Sequence, residues 1–183
     1  TINISSPNTE GLRDFHDQEK LKDLLITLNL AKKENQTNIP LLLKVSPDIK
    51  DNHIYEISNI AIKNNISAII LTNTTNNNKG NLISEIKKEE GGLSGEPLQK
   101  ISTDMIKKFY KFLKNKIPII GVGGVNSGKS AYEKIIAGAS LLQLYTGFVY
   151  KGPSVAKDIK KELIQILKTE GIKNIKEAIG KDT

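Results

Sequence analysis

Polar and glycine-rich clusters punctuate the chain, and each carries groups that can do chemistry. Residues 5–9 read Ser-Ser-Pro-Asn-Thr and Lys44 ends an apolar run. Residues 72–75 read Thr-Asn-Thr-Thr, residues 91–95 Gly-Gly-Leu-Ser-Gly, and residues 145–147 Tyr-Thr-Gly. Asn amides and hydroxyls both donate and accept hydrogen bonds. A buried lysine can stabilise negative charge as it develops. Glycine backbone can approach phosphate oxygens closely because no side chain intervenes. The sharpest local match is Gly123 to Ser130, which fits G-x-x-x-x-G-K-[ST] letter for letter. A strand-like run (Ile117–Ile120) precedes it and a helix-like run (Ala131–Ala139) follows. That is the setting of a nucleotide-binding P-loop. Its partners are missing, however. No apolar strand ending in a magnesium-binding Asp is evident downstream, and the match lies two-thirds along the chain, whereas a P-loop normally opens its domain.

Composition removes other chemistries. There is no cysteine, which excludes disulfides, thiolate catalysis and thiolate-held metals. His16 and His53 lie far apart, each among polar residues, so both read as surface histidines and no metal site is expected. The net charge is +7, yet Arg13 is the only arginine. The lysines, among them Lys32, Lys33, Lys107, Lys108, Lys157, Lys160 and Lys161, are spread over presumed helix faces. Nucleic-acid readers usually show Arg and exposed aromatics, so a solvated lysine surface is expected and no nucleic-acid partner. No stretch approaches the ~18 apolar residues of a membrane span.

The clusters must be positioned by the elements between them. Apolar, β-branched runs predict strands at Thr1–Ile4, Pro40–Val45, Ser67–Thr72, Ile117–Val122 and Ser140–Tyr145. Amphipathic runs predict helices at Asp17–Lys33, Asp51–Asn64 (N-cap Asp51), Ser102–Lys116 and Ser127–Ala137. A long helix is expected from near Pro153 to just before Gly171, with a last short turn over Asn174–Ile179. The stretch Asn73–Pro97 reads as a long polar loop, the kind that is functional or mobile. Continuous apolar strands suggest a parallel sheet buried on both faces.

Five β-then-α units follow, and the polar clusters fall after every strand. In a doubly wound sheet only the switch point carries function. In a (β/α)8 barrel all strand ends open on one face. The barrel is therefore expected, as an α/β fold. Five of eight units take roughly 156 of the ~250 residues typical of the whole, close to this chain plus one long loop. The chain is read as the C-terminal five βα units of one barrel domain spanning residues 1–183, with the N-terminal units absent.

Six motifs in order carry a resemblance. They are Asn3-Ile4-Ser5-Ser6-Pro7-Asn8-Thr9, Lys44-Val45-Ser46-Pro47-Asp48, Thr72-Asn73-Thr74-Thr75, Gly91-Gly92-Leu93-Ser94-Gly95, Gly121-Val122-Gly123-Gly124 and Gln143-Leu144-Tyr145-Thr146-Gly147. Together, over Thr1 to about Gly180, they resemble the class 2 dihydroorotate dehydrogenases. The resemblance implies FMN as cofactor, oxidation of dihydroorotate to orotate in pyrimidine synthesis, and transfer of the electrons to ubiquinone. It makes Ser6 the base that takes the substrate C5 proton, with Thr9 and an ordered water as relay, on a mobile lid for which Gly11 to Gln18 is suited. It assigns substrate contacts to Asn3, Ser6, Asn8, Asn73 and Thr74. It assigns flavin contacts to Asn3, Lys44, Thr72, Ser94, Gly95, Gly123, Gly124, Tyr145 and Thr146, with the glycines at the phosphate. The Gly121–Gly124 turn then holds the phosphate of FMN, and Gly128-Lys129-Ser130 simply begins the next helix. Asn76–Asn78 reads as plain polar loop.

The same resemblance implies the mitochondrial inner membrane in a eukaryote, or the cytoplasmic membrane in a bacterium. Anchoring and quinone contact are expected from upstream helices outside this chain. Two other readings are carried forward: a non-catalytic fragment that needs the missing barrel half, and an FMN barrel acting on another dihydropyrimidine.

Overall fold

The computed structural model describes residues 1–77, 79, 82–113 and 115–183. Its main elements are β1 (Ile2–Asn3), α1 (Gln18–Glu34), β2 (Leu42–Val45), α2 (Asp51–Lys63), β3 (Ala68–Leu71), α3 (Gln99–Leu113), β4 (Ile119–Val122), α4 (Gly128–Ile136), β5 (Ala139–Gln143), α5 (Thr146–Lys151) and α6 (Val155–Thr169). The sheet order is β1-β2-β3-β4-β5. Every pairing is parallel. A sheet ordered as the sequence, with no reversal, is a run of consecutive βα units of a (β/α)8 barrel, the expected fold.

Strand alternation sorts the side chains into two layers. Leu43, Val45, Ile69, Leu71 and Ile119 belong to the main core with Leu21 and Leu25 of α1, Ile54 and Ile57 of α2, and Ile106 and Phe109 of α3. Ala68, Ile70 and Ile120, with Leu42 and Val122, form a separate cluster on the other face. Lys44 shares that face with Leu42, two residues earlier. Its register partner on β1 is Asn3, so both stand on the inner face at the C-terminal end of the sheet.

Local chemistry sets most element ends. Asp17 caps α1, its Oδ1 accepting from the backbone N–H of Glu19 and Lys20. Ser127 and Ser130 form a reciprocal capping box at the start of α4. Gly171, at φ 68°, ends α6, with Ile172 N–H donating to Leu167 O. Asn174 caps the short 3-10 turn Ile175–Glu177.

Several boundaries differ from expectation. Asp51 is the first residue of α2 and not its cap; Lys50 holds that position, and the Asp51 carboxylate accepts from Lys108 of α3 at 2.6 Å. α3 begins at Gln99, three residues early, because the 3-10 turn Glu96–Leu98 runs straight into it. It ends at Leu113, short of the expected Lys116; Lys114 lies outside the described residues. β4 begins at Ile119, since Pro118 has no N–H to extend the ladder. β5 is Ala139–Gln143, and Tyr145 instead caps α5, a helix the apolar pattern did not announce. Pro153 precedes α6 and Ser154 takes the N-cap. Ser140, Leu141 and Gln143 of β5 are exposed, so this strand is not buried on both faces.

Candidate active site at the strand ends

The C-terminal ends of β2 to β5 enclose a cleft of about 340 Å³, within the range of small-ligand sites. Its wall includes Lys44, Thr72, Asn73, Thr74, Ser94, Gly95, Gly123, Gly124, Tyr145 and Thr146. Of the expected flavin contacts only Asn3 is not on that wall. Lys44 comes from β2, and Thr72, Asn73 and Thr74 follow β3 directly. Gly123–Gly124 follow β4, and Tyr145–Thr146 follow β5. Ser94 and Thr146 join across the loops, their hydroxyl oxygens 2.9 Å apart.

The amide end is held by a small hydrogen-bond network. Asn73 Nδ2 donates to Ser5 Oγ at 3.0 Å and to Asn3 Oδ1 at 3.2 Å. Ser5 Oγ donates to Asn3 Oδ1 at 2.8 Å, and Thr74 N–H donates to Asn73 Oδ1 at 2.8 Å. Asn3 is thereby tied to the cleft through Asn73. Ser5, fully buried, is a linking residue that sequence reasoning passed over beside Ser6.

The glycine end is built by packing from behind. Gly95, Gly123 and Gly124 have φ of 80°, 116° and 72°, values that strain any other residue. A Cβ on Gly123 would meet Leu98 and Ser102 at 3.1 Å; one on Gly124 would lie 2.5 Å from Gln99 Cβ. The turn therefore needs glycine because α3 begins directly beneath it. The bare backbone left on the other side faces the cleft.

Gly128-Lys129-Ser130 does not form a phosphate loop. Gly128 N–H donates to Glu162 at 2.5 Å, and Ser130 N–H donates to the Ser127 hydroxyl at 3.2 Å. Ser130 Oγ accepts from Asn126 and Ser127 N–H, both at 3.0 Å. Lys129 is exposed. These residues serve the cap of α4.

Ser6, Asn8 and Thr9, on the segment after β1, are not on the cleft wall; Pro7 and Asn8 line a neighbouring cavity with Asn76 and Gly91. Ser6 is half-buried, and its Oγ accepts from Asn8 N–H at 3.2 Å. Asn8 and Thr9 are exposed. Among the described residues Ser6 Oγ has this bond from Asn8 and no direct bond to Thr9. The 91–92 turn packs between this segment and Thr74: a Cβ on Gly92 would run into Thr74 and lie 2.8 Å from Pro7 Cγ.

Three corrections concern the region around it. Within the expected lid, Gly11 to Gln18, Arg13 donates to Asp48 at 3.0 Å, and His16 is buried at 5% exposure. Burial pushes the His16 pKa down to about 4, so it is no surface histidine. Asn76 and Asn77 are more than polar filler. Asn76 N–H (3.2 Å) and Asn77 Nδ2 (3.0 Å) donate to Asp48, as does the Thr75 hydroxyl; Asn78 lies outside the described residues. The long Asn73–Pro97 stretch is also bridged, Thr75 pairing with Leu93, and contains the 3-10 turn Glu85–Lys88; Gly80 and Asn81 lie outside the described residues.

Electrostatically, burial lowers the Lys44 pKa from its ordinary value. Among the described residues, Lys44 makes no ion pair. Its positive charge is thus left for a ligand in the cleft. No group of His, Asp or Glu suited to a metal ion occurs among the described residues.

Residues 1–167 match the sequence model of a family described as dihydroorotate dehydrogenase. The chain is 44% identical over 186 residues to a mitochondrial dihydroorotate dehydrogenase (quinone) of Arabidopsis thaliana, covering 99% of this chain and 40% of that protein. It is 47% identical over 168 residues to a dihydroorotate dehydrogenase (quinone) of Vibrio cholerae, covering 88% of this chain and 49% of that one. A crystal structure from Eimeria tenella, described as DHODH in complex with ferulenol, superposes with a TM-score of 0.94 at 36% identity, covering 99% of this chain and 53% of that one. The chain spans about half the length of the relatives it matches.

Proposed function

The chain belongs to the dihydroorotate dehydrogenase family, and from that premise we propose that it carries the FMN cleft of a quinone-dependent enzyme of this kind. The reaction is oxidation of dihydroorotate to orotate in pyrimidine synthesis, with the electrons passed on to a quinone. One observation carries this reading: ten of the residues expected at such a site, drawn from four strand ends, line a single cleft.

The lining fits the cofactor by its chemistry. A glycine turn and the Ser94–Thr146 hydroxyl pair suit a phosphate; a lysine, a threonine and an Asn amide suit the edge of a polar ring. When bound, FMN supplies the acceptor for the hydride that leaves C6 of dihydroorotate. Lys44 provides a cation without a competing carboxylate, which favours negative charge beside it. Asn73 and Thr74, with Asn3 behind them and Asn8 from the segment after β1, hydrogen-bond the planar substrate and its carboxylate. Ser6 Oγ takes the C5 proton. A serine hydroxyl is a poor base, so the proton must pass on, and Thr9 with an ordered water is the route assigned. Asp48 joins Arg13 to the loop after β3.

No helix among the described residues is long and apolar enough to cross a membrane. We assign the quinone and the membrane contact to regions of the relatives' length that this chain does not span. The membrane is the mitochondrial inner one in a eukaryote and the cytoplasmic one in a bacterium.

The test uses the full polypeptide that contains this chain. It is purified, its flavin absorbance recorded, and dihydroorotate added without oxygen. Bleaching of the flavin is the expected result. A colourless protein that binds magnesium-ATP overturns the reading. Bleaching by dihydrouracil but not dihydroorotate moves the substrate.

A further inference from the structure

Lys134 of α4 lies outside the cleft, directly behind its glycine turn. Its side chain is fully buried. Nζ donates to Ser102 Oγ at 3.0 Å, Thr103 Oγ1 at 3.1 Å and Gln99 O at 3.4 Å, so the three ammonium protons meet three acceptors. All three acceptors are neutral. Among the described residues, Lys134 makes no ion pair. The adjacent Glu133 carboxylate accepts instead from Gln99 Nε2 at 2.5 Å. Burial depresses the Lys134 pKa to about 7, with Glu133 and Asp104 opposing from a distance.

A buried lysine with no anion beside it is a poor way to stabilise a fold; an apolar side chain of similar volume does as well or better. What it holds is more telling. Ser102 Oγ, which accepts from Lys134, donates to Val122 O at 2.5 Å. Val122 leads into Gly123 and Gly124. Ser102 and Gln99 are the residues against which those two glycines rest, as the Cβ positions at 3.1 and 2.5 Å showed. The ammonium is therefore one hydrogen-bonded residue removed from the turn, on the side opposite the cleft. Inside a protein, a charge separated from a ligand by one backbone layer is weakly screened.

We propose that Lys134 is the hidden counter-charge of the phosphate end: it fixes the Gly123–Gly124 turn to the first turn of α3 and makes the cleft prefer a flavin bearing a phosphate over the same flavin without one. This rests on the FMN reading above. Lys134 touches neither cofactor nor substrate, so it is a positioning residue.

The experiment compares FMN with riboflavin, which share the ring and differ in the phosphate. Flavin is stripped from the full polypeptide, and each ligand is titrated by the quenching of its fluorescence. In the unaltered protein FMN binds more tightly, which sets a reference ratio. The titrations are run at pH 6, below the Lys134 pKa of about 7, where the unaltered side chain is charged, and Lys134→Met removes that charge at similar volume. FMN affinity is expected to fall roughly tenfold, a charge–charge attraction of about 1.4 kcal/mol across one backbone layer, while riboflavin affinity stays unchanged. Lys134→Gln is neutral yet can still donate; it is read in the same way and serves if the methionine variant does not fold. An unchanged ratio overturns the proposal. Equal losses for both flavins also overturn it, because they mark a merely structural lysine. If the unaltered protein itself binds FMN no better than riboflavin, the cofactor reading fails, and this shows before any variant is made.

Discussion

Ser6 and Lys44 are where single side chains bear most on the proposed chemistry. Ser6→Ala removes the only oxygen assigned to take the C5 proton, so anaerobic flavin bleaching should slow about 10²–10⁴-fold. Stopped-flow absorbance reads this directly, and an unchanged rate means another group is the base. His16 makes a prediction of another kind. Its pKa is about 4 in the folded chain against an ordinary 6.5. Above pH 6.5 both states hold a neutral ring and the residue contributes no slope. As pH falls from 6.5 towards 4, the unfolded chain takes up the proton and the folded one does not, so stability declines. The full effect is about 3 kcal/mol. Urea midpoints of the full polypeptide at pH 5 and pH 7 should differ by less in His16→Gln than in the unaltered protein. The sequence announced the hydroxyl and amide clusters because each sits directly after an apolar run. It did not announce His16, Asp48 or Lys134, which look like ordinary polar residues until the fold supplies their neighbours. Arg13 reaches Asp48 across 35 residues, and Lys134 reaches Ser102 across 32.

Among the elements, strands and helices were legible wherever one face had to be buried. Ile54 and Ile57 of α2, and Leu21 and Leu25 of α1, repeat at helical spacing and are buried as that spacing demands. The ends were less legible because tertiary bonds decide them. Asp51 looks like a cap, yet Lys108 of a neighbouring helix takes its carboxylate. α5 has no buried residue, so no apolar stripe could reveal it. The turn after β4 offers a test at this scale. Gly124→Ala places a Cβ 2.5 Å from Gln99 Cβ and 2.7 Å from its Cα at a φ of 72°, so α3 must shift beneath the turn. A loss of roughly 1–3 kcal/mol is expected, together with loss of bound flavin. Gly11→Ala, with nothing within 4 Å of its Cβ at a φ of 74°, meets backbone strain alone and should cost about 1 kcal/mol. Thermal melts and flavin content of the two variants separate packing from strain. Lys129→Ala, on the exposed side of α4, should leave the flavin in place, whereas a P-loop lysine would not be dispensable.

For the molecule as a whole, the open sheet governs how this 183-residue polypeptide behaves when expressed by itself. Among the described residues β1 pairs only with β2, and β5 only with β4, so each has a side with unpaired backbone groups. β5 is the longer of the two, with five residues against two. It also carries the apolar surface: Leu141 is 60% exposed, and Val149 and Tyr150 of the adjoining α5 are 64% and 85% exposed. An unpaired strand beside apolar side chains is a template for another chain. Most of the main core lies away from that edge: Leu21, Ile57, Ile69 and Phe109 are fully covered within the helices and inner strands, while β5 adds Ala139 and the partly buried Leu142. The isolated polypeptide should therefore keep its helical content and yet self-associate through β5. Sedimentation at rising concentration should show species larger than a monomer, and Leu141→Lys should reduce them by placing a charge at the edge. A monomeric chain with a cooperative melt would show that the open edge is harmless. Association that Leu141→Lys leaves untouched would shift the contact to β1 or to the inner face of the sheet, where Asn3 and Lys44 stand.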